Sequence, residues 1–111
     1  MSTWGTEPWE NDTGSDWFGS LFDACGIAAY VDRTLAGDPV ENLEELRAAA
    51  FLLRQLGRNY IWPLEHRERQ LTLAVDQLRK AVEWCEGNPD ESDDWLLDAL
   101  KSDIAGLEEQ L

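Results

Sequence analysis

Cysteine, histidine and positive charge are scarce in this sequence, and each shortage removes a class of function. Only Cys25 and Cys85 occur, each inside an apolar periodic stretch, so buried free thiols in a reducing compartment are expected rather than a disulfide framework. His66 is the single histidine. With no second His or Cys at ligand spacing it makes no usual zinc site, and no Glu-x-x-His pair exists for a two-metal centre inside a bundle. A catalytic triad fails for want of an activated nucleophile, since both cysteines sit on core faces and no Gly-x-Ser-x-Gly elbow occurs. Phosphate loops of the Gly-x-Gly-x-x-Gly or Gly-x-x-x-x-Gly-Lys-Ser/Thr kind are missing as well. No enzymatic activity, metal or cofactor is expected.

Nine Lys+Arg face 23 Asp+Glu, a formal net charge of −14. Affinity for nucleic acid regardless of sequence comes from cations that neutralise phosphates, so direct nucleic-acid binding is argued against, and anionic membranes are disfavoured by the same sign. No apolar run approaches the roughly 20 residues of a membrane-crossing helix. The opening MSTWGTEPWEND has no basic n-region and no apolar h-region, which predicts no secretory signal and a cytoplasmic protein.

Against these shortages stand 43% hydrophobic residues and six tryptophans, enough apolar surface for one core in a chain of 111 residues. A single domain over 1–111 is expected, with an N-terminal arm at 1–12 and a helical bundle at 13–111. The charge is organised along it. Residues 1–46 carry ten acids and only Arg33, residues 47–80 carry seven bases and three acids, and residues 81–111 carry ten acids and only Lys101. In a bundle the basic island would pair with its acidic flanks and steer helix order, each exposed pair adding little energy.

Periodicity of three and four dominates from residue 13. Trp17, Leu21, Ala24, Ala28, Val31 and Leu35 form one apolar row with Phe18, Phe22, Cys25 and Ala29 beside it; near Gly26 either one helix bends or two short helices meet. Asp38 and Pro39 suit the N-cap and first position of the next helix, with Glu41 placed to reach back, and Gly57 suits its C-cap. Pro63 can open another helix that stops at Gly87-Asn88-Pro89. The last begins near Asp90 to Ser92 and repeats Leu97, Leu100, Ile104, Leu107 and Leu111, a strict heptad row that leaves room for a homodimer. No segment alternates with period two, so the fold class is all-α: a compact antiparallel bundle of four to five helices with a Trp-rich arm packed on it.

The arm holds the densest anomaly. Trp4, Gly5, Thr6, Pro8, Trp9, Asn11 and Asp12, followed by Asp16 and Trp17, place three of the six tryptophans in seventeen residues. Structurally, Trp4 and Trp9 would lie across the bundle and plug its groove, while Asn11, Asp12 or Thr13 caps the first helix. Functionally, Trp9, Asn11, Asp12 and Asp16 would line a polar pocket with an aromatic wall, suited to a cationic or heterocyclic ligand. A calcium loop fails, because Gly14 at position six puts Trp9 at position one. The string WGTEPWENDTGSDW resembles the opening of a group of small uncharacterised bacterial proteins, assigned a domain of unknown function, that start Trp-Gly-Thr-x-Pro-(Phe or Trp)-x-Asn-Asp. The resemblance covers about the first eighteen residues well and the helix around Leu43 to Leu56 loosely. Its members resemble small acidic proteins encoded beside bacterial toxins, and the resemblance therefore implies an immunity role.

A second cluster surrounds the start of the last helix. Glu86, Asp90, Glu91, Asp93, Asp94 and Asp98 crowd it, with Trp84 and Trp95 on either side. Acids there can be a solvated helix cap with both tryptophans in the core. They can also be a docking face, in which charge steers the encounter and a buried aromatic carries affinity. The expectation is an immunity- or antitoxin-like module that neutralises a basic protein partner, a toxin or nuclease for example. A self-associating helical scaffold and a small-molecule sensor built on the N-terminal motif are the alternatives.

Overall fold

The structure, a computed structural model, describes residues 5–111. Five helices follow one another: α1 (Asp12–Cys25), α2 (Ile27–Leu35), α3 (Leu43–Leu56), α4 (Leu64–Gly87) and α5 (Asp94–Glu108). Among the described residues there is no strand element. Short turns between α2, α3, α4 and α5 reverse the chain each time, so these four run up, down, up, down, and α3 and α5 are parallel. The bundle is a slab with principal extents of 57 × 25 × 17 Å. Leu35, Leu46, Leu53, Leu71, Leu78, Leu100 and Leu107 fill its core, and Trp62 from the connector joins them at 1% exposure.

Gly26 resolves the first ambiguity in favour of two helices. Its φ of 59° and ψ of 34° lie in the left-handed region, where Gly meets no Cβ penalty, and the chain turns there from α1 into α2. That turn also changes which apolar row is inward. In α1 the Phe18 and Phe22 row packs on the core, with the Phe22 ring edge-on to Trp62 at 4.9 Å, while Trp17 and Leu21 are exposed. After the turn the Ala28, Val31 and Leu35 row is the buried one. A single continuous stripe from Trp17 to Leu35 would need one continuous helix, and the left-handed residue breaks it. Cys25 lies on the exposed side of α1, a correction to the expectation of two buried thiols; Cys85 is buried.

Other boundaries shift by a few residues. Asp38 does cap, its Oδ1 accepting the N–H groups of Val40 at 2.8 Å and Glu41 at 3.0 Å, but the turn it starts is interrupted and regular helix begins at Leu43. Residues 88–93 form turns, and α5 starts at Asp94 rather than between Asp90 and Ser92. Gly57 is the C-cap of α3, and its buried position has no room for a Cβ, which would collide with the Leu53 carbonyl oxygen. Within α5 the heptad row faces inward: Leu100, Ile104 and Leu107 are buried and Leu97 is half-buried, while Leu111, past the helix end, is exposed, so self-pairing through the helical part of this row would have to open the bundle.

Two buried glutamines of α4, which hydrophobic periodicity passes over, fix α2 along its length. Gln70 accepts from the Trp62 indole N–H at 2.7 Å and donates to the Ala28 carbonyl and to Asp32 at 2.8 Å each. Gln77, one heptad on, donates to the Leu35 and Gly37 carbonyls at 2.8 and 2.9 Å, closing the end of α2. Burial without such partners would cost a few kcal/mol per group, roughly 1–3. Three of the seven bases of the island pair as its position implies. Arg47–Asp103 (2.7 Å), Arg69–Asp32 (2.8 Å) and Arg79–Glu108 (3.0 Å) each join residues 47–80 to an acidic flank.

Candidate functional site

Antiparallel packing gathers the N-termini of α3 and α5 at one end of the bundle, beside the turn at 38–42. A cleft of about 640 Å³ opens between them, lined by Val40, Glu41, Asn42, Leu43, Glu44, Glu45, Arg47, Asp93, Trp95 and Leu96. Apolar side chains from both helices form part of the wall, and carboxylates crowd it. Trp95 is 61% exposed, so it is not the core residue that its helical spacing allows. Trp84, across the turn, is half-buried and packs against the core.

The electrostatics of this end have a structural part and a surplus. Glu44, Glu45 and Asp94 sit in first helical turns, where the positive end of the helix dipole favours acids. Arg47 is engaged by Asp103. Asp38 is held below the ordinary carboxylate range by the backbone N–H of Glu41 and then by that of Val40. Asp93 occupies the N-cap position of α5, yet its side chain makes no capping hydrogen bond and lines the cleft instead. Glu86, Asp90, Glu91 and Asp98 are exposed around it. Among the described residues no three His, Cys, Asp or Glu side chains converge to hold a metal ion.

The N-terminal motif is distributed differently from the pocket that its composition suggests. Trp4 lies outside the described residues. Gly5, Thr6 and Pro8 are exposed. Asn11 caps α1, accepting from the Gly14 N–H at 2.6 Å while its amide donates to the Pro8 carbonyl at 3.2 Å. Asp12 and Asp16 are exposed on α1, and Trp17 is 61% exposed with Phe18 edge-on at 5.3 Å. Among the described motif residues Trp9 alone packs half-buried on the core and faces a concavity, where its neighbours are Glu10, Arg58, Asn59, Tyr60, Arg67 and Gln110. Neither Asp12 nor Asp16 lines it.

Residues 2–109 match the family described as a domain of unknown function (DUF4259). The chain belongs to that family. No curated protein and no solved structure matches it. Since the DUF4259 match takes in the arm and all five helices, the cleft and the Trp9 concavity both lie inside the family's domain.

Sequence reasoning located one half of the cleft and missed the other. Asp93 and Trp95 stood out as part of an acidic run beside an aromatic. Glu41 read as part of an ordinary helix start fifty residues away, Leu43 as part of that helix, and Glu44 and Glu45 drew no reading. The available signal was topological: short turns on both sides of α4 make α3 and α5 parallel neighbours, which puts their first turns side by side.

Proposed function

We propose that this chain is a protein-binding module of the immunity or antitoxin type, working in the bacterial cytoplasm, which neutralises a basic protein such as a nuclease by covering its active or binding surface. The observation that carries this reading is Trp95, largely exposed in the wall of a cleft shared with Glu41, Glu44, Glu45 and Asp93. An exposed aromatic anchor ringed by acids suits a partner whose cations meet the rim and whose apolar side chain covers the indole. The net charge of −14 supports fast, steered encounter with such a partner and repels acidic ones.

The partner is sought among products of neighbouring reading frames, purified and tested directly. The complex should weaken steeply between about 0.1 M and 1 M salt, as the screening length falls from about 10 Å to about 3 Å. It should also be lost on Trp95→Ala. Binding that is equally fast at both salt concentrations, or that ignores Trp95→Ala, excludes the reading. Self-association through α5 has less support, because its apolar row is already committed to the core.

A further inference from the structure

At the opposite end of the bundle, the concavity beside Trp9 has a charge that runs against the rest of the molecule. Its volume is about 280 Å³, and Trp9, Glu10, Arg58, Asn59, Tyr60 and Arg67 form most of the lining. Among the described residues neither arginine is engaged by a carboxylate. Arg58 lies over the Trp9 ring, 5.5 Å from its centroid. Arg67 donates through Nε to the Gly57 carbonyl at 2.7 Å and through Nη2 to the Gln110 carbonyl, both neutral oxygens. Three of the other four island arginines, Arg47, Arg69 and Arg79, each reach an acid. Glu10, the one acid in the lining, has an oxygen accepting the Glu7 N–H of its own arm at 3.2 Å.

The second observation is backbone strain. Tyr60 has φ of +73°, the only positive value at a non-glycine among the described residues, and its side chain is half exposed. Its carbonyl accepts from the Ser15 hydroxyl at 3.3 Å, which ties the strained loop to α1. A large side chain held in the left-handed region needs surroundings that over-determine it, and such residues cluster at ligand sites.

We propose that this pocket binds a small planar ring carrying a carboxylate or phosphate group. The anion meets Arg58 and Arg67, which carry charge and spare N–H donors, and the Asn59 amide; the ring lies beside the Trp9–Arg58 stack. A guanidinium resting on a ring face keeps its edge donors for a second partner, so Arg58 stays on Trp9 while it holds the anion. The pocket suits a single ring system and is too small for a dinucleotide. This site is independent of the docking end, and its ligand charge is the reverse of the cationic one that Asp12 and Asp16 would select.

The test uses the full chain and four probes, benzoate, phenyl phosphate, inorganic phosphate and benzylammonium, followed by the NMR shifts of the Trp9 indole N–H and the amides of residues 58–60. Benzoate or phenyl phosphate should titrate these signals with a Kd on the order of 1 mM or tighter. A response to only one of the two identifies the carboxylate or the phosphate as the group recognised. Arg58→Met keeps an apolar chain over Trp9 and should weaken binding about tenfold at unchanged helical circular dichroism. Glu10→Gln should tighten it. The proposal is overturned if neither anion titrates, if benzylammonium moves the same signals equally, if inorganic phosphate binds as well as phenyl phosphate, or if Arg58→Met binds like the parent chain.

Discussion

At one end of the bundle charged side chains hold the backbone, and at the other they face water. Around the C-termini of α3 and α5, Arg67 satisfies the Gly57 and Gln110 carbonyls, and the Gln110 amide donates to the Arg54 carbonyl at 2.8 Å. Those are orphan acceptors of helix ends, and a cation there also complements the negative end of the dipole. Around the N-termini of the same two helices the sign is again the favourable one. There, however, Asp38 accepts only the N–H groups of Val40 and Glu41 in the preceding turn, and the Asp93 side chain makes no capping hydrogen bond. The Arg67 donors at the first end are committed to the fold; the carboxylates that line the cleft at the second surround an exposed tryptophan. The two ends should therefore respond oppositely when stability and binding are measured on the same variants.

The largest effect is expected from Arg67→Met. Two helix-end carbonyls lose a charged donor at partly buried positions, which should cost about 2–3 kcal/mol and lower the melting temperature by on the order of 10 °C. Glu44→Gln, the counterpart at the other end, should change stability by no more than about 1 kcal/mol, the scale of a dipole contact. Chemical denaturation of both variants checks the contrast, and equal losses would erase the distinction between the ends.

Trp95→Ala inverts the pattern. Because the indole is 61% exposed, its removal should leave the melting curve nearly unchanged. Partner affinity should fall by at least about 2 kcal/mol, some thirtyfold, as for an aromatic at the centre of an interface. A smaller binding effect comes from neutralising Glu41, Glu44 and Glu45 together as glutamines. Association should slow about tenfold at low salt with the dissociation rate unchanged, and the two chains should converge at about 1 M salt. A change confined to dissociation would show that these acids make short contacts rather than steer.

The difference between the ends also marks what was legible in the sequence. Helix order, the stops at Gly57 and Gly87, and the pairing of Arg47, Arg69 and Arg79 with the acidic flanks follow from periodicity, turn residues and charge blocks, all local or additive properties. The boundaries that moved did so where tertiary geometry overrode a local signal. Asp38 caps a turn that never becomes helix, and Gly26 takes a left-handed conformation that exchanges the buried row. Trp95 and Trp17 sit at helical spacings that permit burial, but no second element covers them. Trp62, in a connector, is almost fully buried because Phe22 and Gln70 close on it from α1 and α4. Gln70 and Gln77 were silent, since a polar residue on an apolar face announces a partner only once the facing backbone is known.

The smallest effect concerns the charges between the two ends. Asp32 is held below its ordinary carboxylate range chiefly by the hydrogen bond from Arg69, aided by Gln70 and opposed by partial burial. The folded state therefore binds this proton less readily than the unfolded chain. The stabilisation is complete above about pH 5 and is lost as pH falls through the unfolded value toward the lower folded one. Acidification also relieves self-repulsion in a chain of net charge −14, so the overall stability profile mixes two opposed trends. Comparison with Asp32→Asn separates them. The parent chain should be more stable near neutrality by about 1 kcal/mol or less, the pair being partly exposed, and the gap should close below about pH 4. A gap that persists at low pH would mean that Asp32 acts through the geometry of its bond with Gln70 rather than through its charge. Its pairing with Arg69 would then belong with the structural arginine contacts at the carbonyl end.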